Sequence, residues 1–542
     1  MKKLTAFFLI FFFFVVLFDI FNSNTYNAAD GNSRCVEVFN SNKLYIHGNN
    51  HMLYPLHIYY FNKLLERLGV VSKDGFEYFR HSTMINEVGG ALSLAIVYLI
   101  LLMLTASELY SVLGVLCIGF SKSFIECAIN PNEAMFGFLF SVLAVWMFYL
   151  SVEKKKVLYG CIAGFLLSYA SATYRSMVLI LFPILLVYLY RIFLNKEERM
   201  AYLKIVFSFL LVMIVSTIVI YGICYKVFFH INNFADGFNR LLIPYSPEDN
   251  AKGIFCRAEL SNLIFIFYAF IQAIFTLPFF ELRSLLFGGL GNYRIFFLLI
   301  PPILLVSATS ILLCYIFVKL VKHDKTHLRV FFVLSLFFIV SLFPPFYVMM
   351  NHSKLWLQPI AIFVVLAIYM IVDYLRLNIP KNRNRYIKIY LSIFLIVMMV
   401  WNICSILIPS HKGEKAVVDI GRAVDNVIEK DSLVFLYWDE LGSIFENFFP
   451  GKRLIVAVPT LATNLSENDL IDRIDKDIKE AKESNKGIYF INLLDKTKYD
   501  WDLFMDRKAG IRYESFQKYR NRSKAIAKYV VKNDEYILYK YE

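Results

Sequence analysis

Residues 261–282 read SNLIFIFYAFIQAIFTLPFFEL, and whether this stretch crosses a membrane fixes the topology of everything around it. Its length allows a crossing, since a spanning helix needs about 20 mostly apolar residues. Pro278, Glu281 and the following Arg283 instead suit a helix that lies at the interface or re-enters. Charge decides between the two. If the stretch does not cross, the basic clusters in 154–156, 191–199, 319–329 and 376–388 all face the cytoplasm, as the positive-inside rule demands. If it crosses, either the early or the late clusters lie outside. The expected chain therefore crosses eleven times, with its N-terminus cytoplasmic and its C-terminus extracytoplasmic.

The composition agrees with a lipid environment. The chain has 542 residues, of which 58% are hydrophobic and 53 are Phe. With a mean hydropathy of +0.55, it is far more apolar than a soluble protein of that size. The net charge of +13 comes from Lys and Arg clustered between apolar runs. That is the pattern of cytosolic anchors, and no basic-aromatic module for nucleic acid is present. MKKLTAFFLIFFFFVVLFDIF at 1–21 has no small-x-small cleavage site close behind it and is read as the first span rather than a signal peptide. Ten further spans are expected near 86–105, 108–126, 133–151, 157–174, 175–193, 203–225, 294–319, 329–349, 357–376 and 389–409.

The fold class follows: an α-helical polytopic membrane protein with a small C-terminal α/β soluble domain. The transmembrane domain covers 1–410, with a first outer loop at 22–85 and a second outer region at 226–293. The extracytoplasmic domain covers 411–542. In that domain SLVFLYW at 432, LIVAVPT at 454 and GIYFINL at 487 read as short buried strands, and SENDLIDRIDKDIKEAKESN at 466 as a capped, charged helix. Six of the eight cysteines fall in or beside apolar segments and read as small buried hydrophobes. Cys35 and Cys256 lie in loops expected on the same outer side, where a disulfide between them is one reading.

HGNNHMLYPLHIYYF at 47–61 follows the first span. Pro55 suits the first turn of a helix in which Ile58, Phe61, Leu65 and Leu68 share a face, with His57, Asn62, Lys63, Glu66 and Arg67 away from it and Gly69 as the stop. Such a helix lies along the membrane surface. This order resembles the GT-C class of polytopic glycosyltransferases, which includes the protein O-mannosyltransferases and the lipid A aminoarabinose transferase. In that class a first helix is followed by an outer loop with a carboxylate motif, a Tyr and a juxtamembrane helix, the place taken here by NNHMLYPLHIYYFNKLLERLG. FRHSTMINEVGGALSLAIVYL, with Arg80, is similar to the class's arginine ahead of a Gly/Ala-containing second helix. FIECAINPNEAMFGFLF supplies Glu126 and Glu133 in a turn that is often acidic in the class. SATYRSMVLILFP offers Arg175, and HSKLWLQPIAIFVVL offers Lys354, Trp356 and Pro359 at the start of a late helix. The similarity covers most of the membrane part, with one departure: Asn49, Asn50 and His51 stand where an acidic pair is expected.

The resemblance implies transfer of a sugar from a polyprenyl-phosphate donor to a glycan, lipid or protein acceptor at the outer face, usually with inversion, and it implies no cofactor. That chemistry needs a base for the acceptor hydroxyl, cations for the departing phosphate, and an apolar groove. His51 is the first candidate base, because an unperturbed imidazole titrates near neutrality. Glu133 is the second, with Asp30 and Glu37 behind it. The i, i+4 pair His47 and His51 would suit zinc on a helix, but Gly48 and two asparagines argue against helix there, so no metal is expected. Arg80, Arg175 and Lys354 are the candidates for the lipid phosphate, with Arg257 and Arg283 of the second outer region behind them. The ordinary alternative for each is interfacial snorkelling. FGGLGN at 287 has no strand ahead of it and is no dinucleotide fingerprint. Other functions open at this point are a polysaccharide polymerase or O-antigen ligase, a transporter or flippase for lipid-linked glycans, and a non-catalytic assembly subunit.

Overall fold

The computed structural model describes residues 2–21, 35, 38–39, 53–72, 75–194, 196–228, 261–277, 293–323, 327–347, 353–377 and 381–408. In the tail it describes 423–424, 426–429, 431–436, 454–458, 466–491, 493–495, 501, 512–531 and 534–542. The chain divides into two compact units. The first holds Met1–Ser23, Asp30–Val70 and His81–Pro409, and the second holds Asn24–Ala29, Val71–Arg80 and Ser410–Glu542.

The first unit is helical: α1 (Lys2–Ile20), α2 (Tyr54–Arg67), α3 (Gly75–Thr105, its first turns grouped with the second unit), α4 (Glu108–Gly119), α5 (Lys122–Ala128), α6 (Glu133–Lys154) and α7 (Val157–Thr173). A 3₁₀ segment, Arg175–Ile180, leads into α8 (Leu181–Leu194). Then come α9 (Arg199–Phe228), α10 (Ser261–Ile274), α11 (Tyr293–His323), α12 (His327–Ser341), α13 (Ser353–Leu375) and α14 (Lys381–Asn402). Among the described residues eight helices are long and apolar enough to cross a membrane. The pair α4 and α5, bent by 68°, adds a ninth if it is one span, and Val157–Thr173 and Val330–Pro345 are shorter apolar helices. Each expected span thus coincides with an apolar helix. Among its described residues, 261–277, the ambiguous stretch forms the 14 residues of α10. At 1.5 Å per residue that is about 21 Å, short of the ~30 Å hydrocarbon layer.

The break between α4 and α5 leaves backbone groups that lipid could not satisfy. Asn402, fully buried at the end of α14, takes up one of them, the Phe120 carbonyl. Its Nδ2 donates to the carbonyls of Phe120 (2.8 Å) and Ile274 (2.7 Å), and its Oδ1 accepts from Thr276 N (3.1 Å). A π turn, Ile403–Leu407, follows directly. One side chain thereby ties the bent helix, the end of α10 and the end of α14 together, and so fixes the course of α5 toward the turn that ends at Glu133.

Helix α2 has Pro55 in its first turn and is followed by Gly69, whose φ of +85° is a conformation glycine adopts without strain. Its buried stripe differs from the expected one. Tyr54, Pro55, Ile58 and Asn62 are inside, while Leu64 and Leu68 are exposed. Asn62 is accommodated because its Nδ2 donates to Ile58 O and Ser82 Oγ, both at 2.9 Å. His57 also turns inward, its ring 4.6 Å from that of Phe136, and its Nε2 shares a 2.6 Å hydrogen bond with the Tyr169 hydroxyl. Its Nδ1 is buried with no partner among the described residues.

Burial pushes the His57 pKa down from 6.5 to about 4. The unfolded chain therefore binds a proton below about pH 6.5 that the folded chain refuses until about pH 4. Stability is expected to fall across that window by at most about 3 kcal/mol and then to level off. In a His57→Gln variant the decline in unfolding midpoint between pH 6.5 and 4 should be shallower, as a pH series of thermal melts would reveal.

The second unit is built on a five-stranded sheet in the order β2-β1-β3-β5-β4. The strands are β1 (Leu433–Leu436), β2 (Leu454–Ala457), β3 (Ile488–Ile491), β4 (Ser523–Val531) and β5 (Asp534–Tyr541). Strand β1 runs parallel to both β2 and β3, while β5 is antiparallel to β3 and to β4. Helices α15 (Glu467–Glu483) and α16 (Glu514–Arg520) bury Leu470, Ile474, Phe516 and Tyr519 in one core with Phe435 and Phe490 of the sheet. Ser466 caps α15 by accepting from Asp469 N.

Candidate functional site

The turn between α5 and α6 carries both carboxylates of FIECAINPNEAMFGFLF, and its shape is set by asparagines. Asn132 caps α6, its Oδ1 accepting from Ala134 N at 2.9 Å, and Asn130 Nδ2 reaches back to Glu126 O at 3.0 Å. From α3, the fully buried Asn86 donates to the carbonyls of Cys127 (3.2 Å), Asn130 (2.8 Å) and Asn132 (2.7 Å). Its Oδ1 accepts from the Tyr54 hydroxyl at 3.1 Å. Burial, with Cys35 and Glu133 nearby, keeps the Tyr54 phenol neutral and therefore a donor. Pinned in this way, the turn delivers Glu133 to the first position of α6, where a carboxylate also complements the helix dipole.

Glu133 is only 1% exposed, which a lone charge would not tolerate. The cation is Lys354 on the first turn of α13: its Nζ lies 3.0 Å from Glu133 Oε1, and its side chain is 15% exposed. One residue earlier, the Ser353 hydroxyl donates to the Glu126 carboxylate, which also has Lys122 Nζ at 3.8 Å. Two carboxylates seven residues apart in sequence thus hold two consecutive residues from a helix more than 200 positions away. The next turn of α13 is anchored by Trp356, 1% exposed and with its ring 5.8 Å from that of Phe270 on α10.

Arg175 opens the 3₁₀ segment and is half-buried. The segment lies close against α6, since a Cβ on Gly137 would come within 2.6 Å of the Tyr174 Cβ, and it touches α13 through Met177 and Gln358. The three elements that begin at Glu133, Arg175 and Lys354 therefore pack together. Beyond these residues they line one cavity of about 1290 Å³, walled among others by Phe138, Ser141 and Val142 of α6, Ile180 of the 3₁₀ segment, and Gln358 and Ala361 of α13. Its wall on α6 extends from Phe138 to Val152, about 21 Å of helix.

The other expected residues fare differently. Arg80 is exposed on α3, in the stretch Val71–Arg80 that groups with the second unit. His51, His47, Asp30, Glu37, Arg257 and Arg283 lie outside the described residues, as does FGGLGN at 287. Cys35 is a free, buried thiol that shares a hydrogen bond with Ser82, and burial pushes its pKa up. Cys256 is outside the described residues. Among the described residues no group of three His, Cys, Asp or Glu could hold a metal ion. Sequence reasoning gave no role to Tyr54, Asn86 and Glu87, the last only 2% exposed on α3. A polar pair Asn-Glu at the head of an apolar helix was the available signal.

No family model matches the chain, and no curated protein does. Among solved structures the chain is similar to ArnT from Cupriavidus metallidurans bound to undecaprenyl phosphate, with 11% identity, 98% of this chain and 97% of that one covered, and a TM-score of 0.42. It is also similar to the apo state of ArnT from the same organism, with 10% identity, the same coverage and a TM-score of 0.38.

Proposed function

We propose that this protein is an integral membrane glycosyltransferase that moves a sugar from a polyprenyl-phosphate donor to an acceptor hydroxyl at the outer face of the membrane. The observation that carries the reading is the buried Glu133–Lys354 pair on the elements that wall a deep apolar cavity. Lipid-linked donors need both features: charge for phosphate and reacting hydroxyl, and hydrocarbon space for the tail. In the reaction Glu133 takes the acceptor's proton. The acceptor oxygen bonds to the anomeric carbon as the bond from that carbon to the phosphate oxygen breaks, and the polyprenyl phosphate leaves with the bonding electrons. Lys354 and Arg175 balance its charge. Arg80, exposed on α3, and His51 are the remaining candidates, for phosphate and for base. The apolar wall suits a prenyl tail and offers a hydrophilic glycan no hydrated path, which weighs against a transporter.

The test is transfer by the purified protein in liposomes supplied with radiolabelled polyprenyl-phosphate sugars. The wild type should add one sugar per event and release polyprenyl phosphate, while Lys354→Met and Arg175→Ala should each lower the rate roughly 10²-fold or more. Full activity in both variants would remove the phosphate assignment. Transfer of whole oligosaccharide blocks would move the protein to the polymerases and ligases.

A further inference from the structure

We infer that Glu133 is a built-in competitor for the cation that meets the lipid phosphate, so that donor binding is an exchange of Lys354 from carboxylate to phosphate. The inference rests on the glycosyl-transfer reading above.

One ammonium is placed to serve both groups. Lys354 Nζ is 3.0 Å from Glu133 Oε1, and in an in-line displacement the base and the departing phosphate stand on different sides of the anomeric carbon. Phosphate oxygens and the carboxylate compete for the same three N–H donors. A phosphate that draws Lys354 to itself therefore takes it from the base.

Burial decides which partner moves. Glu133 is sealed in, 1% exposed, on a turn whose backbone Asn86 grips at three carbonyls. Lys354 sits on a flexible four-carbon stem and is the more exposed of the two. An arriving phosphate meets the ammonium first. Once Lys354 has swung to it, the carboxylate no longer shares its charge with that ammonium and can take the acceptor's proton. After transfer Glu133 carries the acceptor's proton and is neutral, so it cannot recapture the lysine. When that proton passes to water the carboxylate competes again, and the lipid phosphate leaves. Proton loss and product release are in this way one step.

The experiment measures equilibrium binding of undecaprenyl phosphate to the full chain in nanodiscs, with sugar transfer assayed on the same samples. Glu133→Gln should bind the lipid about tenfold more tightly than wild type, and the lipid should raise its melting temperature by more. Glu133→Asp, which keeps the charge but shortens its reach, should fall between the two and serves if the glutamine variant does not fold. Glu133→Gln/Lys354→Met should bind more weakly than wild type. If the wild type binds and transfers but neither single variant binds more tightly, the exchange is wrong and the enzyme reading stands. If no protein binds the lipid, both fall.

Discussion

Glu133→Gln is expected to lower sugar transfer by roughly 10²–10⁴-fold, the range in which a positioned proton acceptor contributes. The substitution keeps shape and removes the charge, so Lys354 is left beside an amide in a nearly closed site. Removing one partner of a buried ion pair typically destabilises by about 3–5 kcal/mol, because the other charge is then uncompensated. Loss of activity alone would therefore not separate chemistry from folding. The double variant Glu133→Gln/Lys354→Met removes both charges, and its melting temperature should return most of the way to that of the wild type. Its transfer should not return. A double variant that regained transfer along with stability would show the pair to be a structural brace. A His51→Gln variant that lost as much activity as Glu133→Gln would move the base to the first outer loop.

Much of the architecture was legible because membrane spans are read from length and polarity alone. Ten of the eleven expected spans needed only an apolar run of sufficient length, the first also needed the lack of a nearby cleavage site, and the positive-inside rule kept 261–282 out of the count. Its short helix α10 agrees with that reading. The capped helix at 466 was equally plain, since a serine ahead of a charged, amphipathic run has few other uses. What escaped was polar burial. The inward stripe of α2 runs Tyr54, Ile58, Asn62, at i, i+4 spacing, but an asparagine inside a stripe cannot be told from one facing water until its partner, here Ser82 twenty residues on, is known. The hairpin of β4 and β5 was missed for a related reason. SKAIAKYVV and DEYILYKY alternate, but their lysines and tyrosines dilute the apolar signal, as suits β4 at the sheet edge.

The candidate site divides along the same line. Glu133 and Lys354 were each named from chemistry, 221 residues apart, but their contact was invisible, because nothing local in either segment specifies the other. The motifs also drew attention to His51, which lies outside the described residues, and to Arg80, which is exposed on α3. Asn86 shows the limit most sharply. It carries no reactive group and sits in a helix that reads as apolar beyond it, yet it organises the turn on which the carboxylates stand.

Asn86→Ala should consequently be among the most damaging single changes, with an expected loss of about 3–5 kcal/mol. The side chain is fully buried and makes four hydrogen bonds, to the carbonyls of Cys127, Asn130 and Asn132 and from the Tyr54 hydroxyl. Each buried polar group left without its partner costs about 1–3 kcal/mol, and local relaxation recovers part of the sum. Tyr54→Phe removes only one of the four bonds and should cost about 1 kcal/mol. Asn86→Asp offers a sharper comparison: it keeps the acceptor for Tyr54 but turns the donors into a carboxylate facing three carbonyl oxygens, so it should be at least as damaging as the alanine. Thermal melts of the three purified variants in one detergent would give the order. Because Asn132 caps α6 directly ahead of Glu133, the alanine variant should also transfer sugar more slowly at temperatures where it remains folded, while Tyr54→Phe should transfer nearly as well as the wild type. If Asn86→Ala melts within a degree or two of the wild type, the turn holds itself. Its three carbonyl contacts would then be incidental to where Glu133 stands.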